Sequence, residues 1–448
     1  MKFKLSTTHI LLLSFLALIC VGTFLLSLPI SSTTGEWTNF IDSLFTATTS
    51  VCVTGLVTVT TATHWSLFGQ ITILLLIQIG GLGVITFISS IAVFLHKKMD
   101  MSNRVLIQDA LNIDTLSGLS GFLKRVIKGT LIVEGIGAIL YMIVFIPDFG
   151  LKGIWYAIFN AVSAFCNAGM DVFSENSLCM YVTNPLVNFT TIMLIVCGGI
   201  GYVVWWDIIK LVQNRKSECI RFSNLSLHSK TAIISTLTLL FGGALLIFIF
   251  EYNNPQTIAN YSLFDKMQLS LFQSVTTRTA GFMTLPQENF TNASSFLCLL
   301  LMFIGGSPVG TAGGIKTVTF VVFIATTISA IQNKEHTNIL NRRIGKEFIK
   351  KSIAVMATSF TIMFISSLLL MSVSKFNVID ILYETVSATA TVGLSRDITS
   401  SLNVVGKIII ICTMYLGRVG PLSLMIAFLT KKNQKNIVIN PKEKIYIG

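Results

Sequence analysis

Long runs of apolar residues alternate with short polar connections over the whole length of the chain. The clearest runs cover residues 10–28, 67–95, 130–147, 187–206, 231–250, 296–304, 317–331, 352–373 and 404–429. Because a helix that crosses a bilayer needs about 20 mostly apolar residues, these runs predict a series of transmembrane helices. No connection between them is long enough for a soluble domain, so the pattern predicts one all-α integral membrane protein.

Four shorter, half-apolar segments lie between the long runs and align on a glycine without gaps. They are FIDSLFTATTSVCVTG (40–55), IWYAIFNAVSAFCNAG (154–169), KMQLSLFQSVTTRTAG (266–281) and VIDILYETVSATATVG (378–393). The aligned glycines lie 114, 112 and 112 residues apart, which indicates fourfold repetition of one unit. About ten helical residues span ~15 Å, half the hydrocarbon thickness. A half-crossing segment must be buried in protein or line a cavity, so each unit is predicted to be helix, pore loop, helix.

These units predict four pseudo-symmetric repeats around one central pore. We place the repeats at residues 1–98, 99–214, 215–340 and 341–430, followed by a cytosolic C-terminal tail over 431–448. The composition agrees with a polytopic membrane protein, since 52% of the 448 residues are hydrophobic, 12% are charged and the mean hydropathy is +0.76.

The residues before each aligned glycine have the chemistry of a cation filter. Backbone carbonyls can replace the hydration shell of K⁺, and turning successive carbonyls toward one axis favours glycine. The predicted filter residues are Val53, Thr54, Gly55, Asn167, Ala168, Gly169, Thr279, Ala280, Gly281, Thr391, Val392 and Gly393. The four glycines are the predicted K⁺-binding positions. Close packing of helices is the other use of membrane glycines, and it suits the later clusters, such as Gly80–Gly83 and Gly198–Gly201, equally well.

The segment GGSPVGTAGGIKT (305–317) interrupts what would otherwise be one very long helix. Glycine costs a helix about 1 kcal/mol and proline about 3, so this stretch is predicted to be a non-helical loop that lines the cavity below the filter and gates it. The predicted gate residues are Gly305, Gly306, Ser307, Gly310, Thr311, Gly313, Gly314, Lys316 and Arg418. Lys316 either closes the loop or reaches the cytosolic surface.

Two arginines lie at membrane depth or beside the filter. Arg418 lies within the last apolar run, where a charge faces the interior and has a partner; it is either a positive barrier below the filter or half of a structural salt bridge. Arg278, three residues before Gly281, is predicted to lie behind the filter, bonded to carbonyls or paired with a carboxylate such as Glu384.

Three acidic residues follow filter glycines. Asp171, Glu175 and Asp397 either enrich cations at the outer mouth or are ordinary solvated charges.

The positive charge is distributed unevenly along the chain. The net charge is +12, and 24 of the 32 Lys and Arg lie in the N-terminus, in 96–128, 207–230 and 332–351, and in the tail. The positive-inside rule therefore predicts cytoplasmic termini. Spread over short loops, this charge does not predict nucleic-acid binding.

The four single-glycine pore loops, together with TTRTAGF (276–282), GGSPVGTAGGIKT (305–317) and YLGRVG (415–420), resemble the Trk/Ktr/HKT superfamily of potassium transporters, in particular its KtrB-type membrane subunit. The resemblance covers nearly the whole chain. It implies K⁺ uptake across a bacterial plasma membrane, one pore per chain, a homodimer, and a cytosolic ring of KtrA-like subunits that bind ATP or ADP. Glycine at Gly55 goes with K⁺ selectivity in that superfamily, whereas Na⁺ dependence is left open.

Two other classes of function are weaker. A secondary transporter with a midplane site and alternating access would show inverted repeats, but these repeats all run in the same direction. An intramembrane enzyme would need a cluster of catalytic side chains, and the five His are dispersed. No covalent cofactor is predicted.

Overall fold

A computed structural model describes residues 7–84, 86–87, 89, 119–213 and 222–420. The predicted tail and much of the basic connection 96–128 lie outside the described residues. Within them the protein is almost entirely helical, and the predicted all-α architecture is confirmed.

Each repeat opens with a long apolar helix. In the described part of the chain, four helices are long and apolar enough to cross a membrane on their own. They are α1 (Thr7–Ser27), α5 (Leu119–Phe149), α9 (Leu227–Glu251) and α13 (Lys346–Val373). Their outward sides expose apolar residues such as Leu131, Ile139 and Phe364, as expected of helices solvated by lipid.

Four shorter helices follow, one in each repeat. They are α2 (Phe40–Cys52), α6 (Lys152–Cys166), α10 (Leu263–Thr276) and α14 (Val378–Ala390). With 13 to 15 residues each, they reach only about 20 Å, too short to span the hydrocarbon layer. Their C-terminal halves are buried in protein, which satisfies the requirement that a half-crossing helix be shielded from lipid. These are the predicted pore helices.

A second apolar helix completes each repeat. These helices are α4 (Leu67–Leu82), α7 (Pro185–Gly199), α11 (Asn292–Phe303) and α15 (Val404–Val419). Each begins at a side-chain cap, because the oxygens of Ser66, Asn184, Thr291 and Asn403 accept a hydrogen bond from an amide of the first turn.

The second helices all end at the glycine clusters. Gly83, Gly201 and Gly420 have φ angles of 85°, 92° and 90°, a conformation that only glycine adopts without strain. After Gly201 the chain continues as α8 (Tyr202–Gln213), bent by 96° from α7. The apolar run 187–206 therefore contains a sharp break that hydropathy does not reveal.

The predicted loop interrupts the second apolar helix of the third repeat. Residues 304–316 are non-helical, and the chain resumes as α12 (Thr317–Ile331). A small hairpin follows, in which β1 (Asn338–Ile339) pairs with β2 (Arg342–Arg343). One short helix, α3 (Thr61–His64), lies between α2 and α4.

Candidate functional site

The four aligned glycines meet at a common centre. A Cβ added to any of them would lie less than 3.0 Å from the carbonyl oxygen that precedes the glycine of the next repeat. The pairs are Gly55 with Ala168, Gly169 with Ala280, Gly281 with Val392, and Gly393 with Thr54. The fourth repeat thus returns to the first, so the strands form a closed ring. Glycine is required here because any side chain would displace a carbonyl of the neighbouring strand.

The four filter strands share one backbone conformation. Besides the glycines, with φ of 97°, 65°, 79° and 98°, the residues two positions earlier also have positive φ. These are Val53 (54°), Asn167 (60°), Thr279 (66°) and Thr391 (52°). Each costs on the order of 1 kcal/mol as a non-glycine residue, and strain repeated at one position of four strands is typical of a functional site. Only Asn167 has a residue type that signals this conformation in the sequence.

Hydroxyl groups on the pore helices fix the filter strands, and in the third repeat Thr276 Oγ1 donates to the Phe282 carbonyl at 2.6 Å. Six positions before the glycine, Thr49 Oγ1 accepts a hydrogen bond from the Gly55 amide at 2.9 Å, and Ser387 Oγ accepts one from the Gly393 amide at 3.0 Å. In the second repeat, Ser163 Oγ accepts from the Met170 amide at 3.0 Å. These anchors were not predicted from the sequence, although their regular position, six residues before the glycine, was a signal that could have revealed them.

Several polar atoms of the filter strands lack a protein partner. In the described residues, Thr54 Oγ1, Asn167 Oδ1 and Thr391 Oγ1 are buried and form no hydrogen bond. Buried polar atoms are normally satisfied by protein, water or ions. Unsatisfied oxygens beside a ring of carbonyls suit a monovalent cation with part of its water.

The loop 304–316 packs against the break between α7 and α8. The amides of Ser307 and Thr311 donate to the carbonyls of Gly199 and Gly198 at 2.8 and 3.1 Å, and the Tyr202 amide donates to Val309 at 2.8 Å. These bonds satisfy irregular backbone on both sides, which is the condition for non-helical chain at membrane depth.

The loop also reaches the pore helices and the filter. Thr311 Oγ1 donates to the Phe165 carbonyl at 3.0 Å, and the Gly313 amide donates to Thr279 Oγ1 at 3.3 Å. A Cβ on Gly313 would collide with Thr391 Oγ1. The loop therefore lies directly against the inner end of the filter strands.

Lys316 closes the loop on itself. Its Nζ donates to the Ala312 carbonyl at 2.5 Å, and Ser307 Oγ lies 3.0 Å from Thr317 Oγ1. The Gly305 amide donates to the Ile315 carbonyl at 2.9 Å. Of the two roles expected for Lys316, the structure shows loop closure.

Arg418 is held by main-chain oxygens. Its guanidinium donates to the Thr311 carbonyl at 2.8 Å and to the carbonyls of Gly80 and Gly81 at 2.6 and 3.3 Å. No described carboxylate lies within ion-pair distance of it, so the described residues do not support the salt-bridge alternative. Arg418 joins the loop 304–316 to the end of α4.

Arg278 lies behind the filter, buried, and bonded to carbonyls. It donates to the oxygens of Thr236 at 3.2 Å and Gly305 at 3.1 Å. Pairing with Glu384 was wrong, because that carboxylate accepts hydrogen bonds from the hydroxyls of Ser395 and Thr399 at 2.7 Å each. Glu384 thus stabilises the outer loop of the fourth repeat.

The glycines of the later clusters serve close packing. A Cβ on Gly80, Gly198 or Gly417 would collide with the backbone of the pore helix in its own repeat. The packing alternative therefore explains these glycines.

The three acids near the filter differ in exposure. Asp171 is 8% exposed, whereas Glu175 and Asp397 are on the surface. Burial raises the pKa of the Asp171 carboxyl to about 7, although hydrogen bonds from Ser174, Ser177 and Phe173 act in the opposite direction.

Together, the closed ring of single-glycine strands and the loop beneath it define a pore-loop membrane protein. The family model described as "Cation transport protein" (TrkH) matches residues 7–439, and the chain belongs to this family. The members that resemble it are named as ion transporters and not as enzymes.

Full-length relatives support the same assignment. "Ktr system potassium uptake protein B" of Bacillus subtilis is 39% identical over 99% of this chain and 97% of the relative. "Potassium/sodium uptake protein NtpJ" of Enterococcus hirae is 36% identical over 99% of this chain and 98% of the relative. The crystal structure of the potassium transporter TrkH from Vibrio parahaemolyticus superposes with a TM-score of 0.74 over 95% of this chain and 86% of that chain. At 15% identity, this likeness shows the fold alone.

Proposed function

We propose that this protein takes up K⁺ as the ion-translocating subunit of a Ktr-type system. The observation that carries the proposal is the closed ring in which each filter glycine touches the carbonyl of the next repeat. Main-chain oxygens at that ring replace the water of K⁺. The membrane potential drives the ion inward with about 2.3 kcal/mol per charge per 100 mV.

The loop 304–316 and Arg418 form the gate of this pore. The loop lies against the inner end of the filter, and the hydrogen bond from Arg418 to the Thr311 carbonyl holds it there. Flow requires that the loop move away, and Arg418 stabilises the closed arrangement.

The assembly follows the Ktr relatives. The chain forms a homodimer in a bacterial plasma membrane, with cytoplasmic termini, and a KtrA-like ring that binds ATP or ADP docks on the cytosolic side. The names of the relatives support a multi-component system, and NtpJ is named for both potassium and sodium. Because this relative is named for both ions, the growth experiment described next is also run with and without Na⁺.

Growth of a potassium-uptake-deficient bacterium on low K⁺ tests the proposal. Wild type should restore growth, Gly55→Ser and Gly281→Ser should lose growth or K⁺ over Na⁺ preference, and Arg418→Ala should raise K⁺ flux. Glycine variants that grow and select K⁺ like wild type would show that the filter is elsewhere. Co-purification with a soluble nucleotide-binding ring tests the partner.

A further inference from the structure

The third pore helix ends earlier than the other three. Helices α2, α6 and α14 end three residues before their filter glycine, whereas α10 ends at Thr276, five residues before Gly281. The third strand therefore leaves its helix two residues sooner, so a longer piece of irregular chain carries its carbonyls.

The backbone bonds of the third strand differ accordingly. In the other repeats, the residue before the glycine donates its amide at 2.8 Å to the carbonyl six positions before the glycine, on Thr49, Ser163 and Ser387. In the third repeat the amides of Ala280 and Gly281 both donate to the Thr276 carbonyl, at 3.0 and 3.3 Å.

The third repeat also lacks a hydroxyl six positions before its glycine. The position of Thr49, Ser163 and Ser387 is occupied by Val275, which has the shape of threonine but no hydroxyl. No hydroxyl at this position then accepts from an amide of the third strand; Thr276 Oγ1, at the end of α10, instead donates to the carbonyl of Phe282, just after the glycine, at 2.6 Å.

Two side chains tie the third strand to the gate loop. Arg278 donates to the carbonyl of Gly305, at the start of the loop, at 3.1 Å. Thr279 Oγ1 accepts from the amide of Gly313, near the end of the loop, at 3.3 Å. The other repeats have Cys52, Cys166 and Ala390 at the position of Arg278, and none of these reaches the loop with a charged group.

We propose that the gate loop anchors the third filter strand through Arg278 and Thr279, so that displacing the loop loosens the filter on that side. Arg278 and Thr279 are positioning residues that couple the conducting state of the gate to ion selectivity. The inference rests on the proposed gating role of the loop. It explains why an arginine is buried behind one strand only, and why valine occupies the position at which the other three repeats have a hydroxyl.

The test measures K⁺ and Na⁺ influx into proteoliposomes that contain the purified full-length protein. Arg278→Gln and the shape-conserving Thr279→Val should each lower the K⁺/Na⁺ influx ratio at least about fivefold, since each removes the bond to the loop together with one further bond, to Thr236 and from Asn167 respectively. Adding Val275→Thr to Arg278→Gln should restore most of the ratio, because the freed strand can adopt the geometry of the other three, which the new hydroxyl then fixes.

A second set of variants in the same influx experiment changes the gate. Arg418→Ala should raise K⁺ influx and lower the ratio together, and adding Val275→Thr should restore the ratio while leaving the influx high. Thr49→Val is the matched control: it removes the anchor of the first strand, so its ratio should fall without rescue by Val275→Thr.

The outcomes separate this inference from the proposed function. The coupling would be refuted if Thr279→Val carried K⁺ with an unchanged K⁺/Na⁺ influx ratio, or if Arg418→Ala raised K⁺ influx without lowering that ratio. Either result would leave the transporter assignment intact. If the wild type carries no K⁺, the proposed function fails, and the coupling with it. Should Arg278→Gln not fold, Thr279→Val and Arg418→Ala decide the question.

Discussion

Substitutions of Arg418 distinguish two ways in which its buried guanidinium could slow K⁺ flow, by holding the loop in place or by repelling the ion. Of its three hydrogen bonds, only the bond to the Thr311 carbonyl, at 2.8 Å, reaches the gate loop; the other two end on α4. A hydrogen bond to a charged group contributes about 1.5–3 kcal/mol. Its loss should therefore shift the balance between seated and displaced loop by about 10- to 150-fold, with a corresponding gain in K⁺ influx wherever the loop limits flow.

Arg418→Lys distinguishes a clamp from a charge barrier. Lysine keeps the positive charge but cannot bond to the loop and to α4 at the same time. If the clamp dominates, Arg418→Lys should raise influx toward the level of Arg418→Ala. If the charge alone blocks the path, Arg418→Lys should behave as wild type.

The assay is K⁺ influx into proteoliposomes at fixed protein density and membrane potential. Lys407→Ala is the control on the same helix, since it also removes a positive charge but breaks the 2.7 Å ion pair with Asp42, away from the loop. Influx in Lys407→Ala should match wild type. Equal influx in wild type, Arg418→Ala and Arg418→Lys would refute the reasoning that Arg418 holds the gate.

Three further outcomes are expected. Gly281→Ala places a Cβ against the Val392 carbonyl and should lower K⁺ influx at least about tenfold, whereas Gly35→Ala, with similar φ (72° against 79°) but open space around it, should leave influx unchanged; equal losses would show that backbone strain alone is responsible. Asn403→Ala removes the cap of α15 and should lower stability by about 1 kcal/mol, seen as a lower melting temperature in detergent with unchanged selectivity. Burial raises the pKa of the Asp171 carboxyl from 3.8 to about 7, so the folded state binds this proton more tightly than the unfolded chain and stability falls as the pH rises between these two values. The melting temperature of the wild type should therefore fall more between about pH 5 and about pH 8 than that of Asp171→Asn. Parallel curves of melting temperature against pH would contradict this.

Hydropathy and glycine spacing were enough to predict the repeats. The half-length segments stand out because a helix of 13 residues cannot cross a bilayer, and the equal spacing of Gly55, Gly169, Gly281 and Gly393 put four of them in register. The loop after Phe303 was predictable because clustered glycine and proline cannot form a stable helix. These features follow from local composition, which the sequence displays directly.

Features that depend on tertiary contacts were not predictable in the same way. The left-handed conformation of Val53 and Thr391 is imposed by packing and contradicts their residue types. The sequence left carbonyls and a carboxylate as alternative partners of Arg278, because sequence distance does not show that the carbonyls of Thr236 and Gly305 lie within reach. The bend at Gly201 was hidden because the residues on both sides are equally apolar.

A ring assembled from a single polypeptide can evolve one side at a time. In a pore made of identical subunits, every substitution appears in all filter strands at once. A residue must therefore be compatible with the surroundings of every strand. Here the four strands have separate codons, so one of them can carry an arginine that bonds to the loop 304–316 while the other three keep uncharged residues at that position. Such an asymmetry is possible only because all four strands around the pore axis belong to one polypeptide.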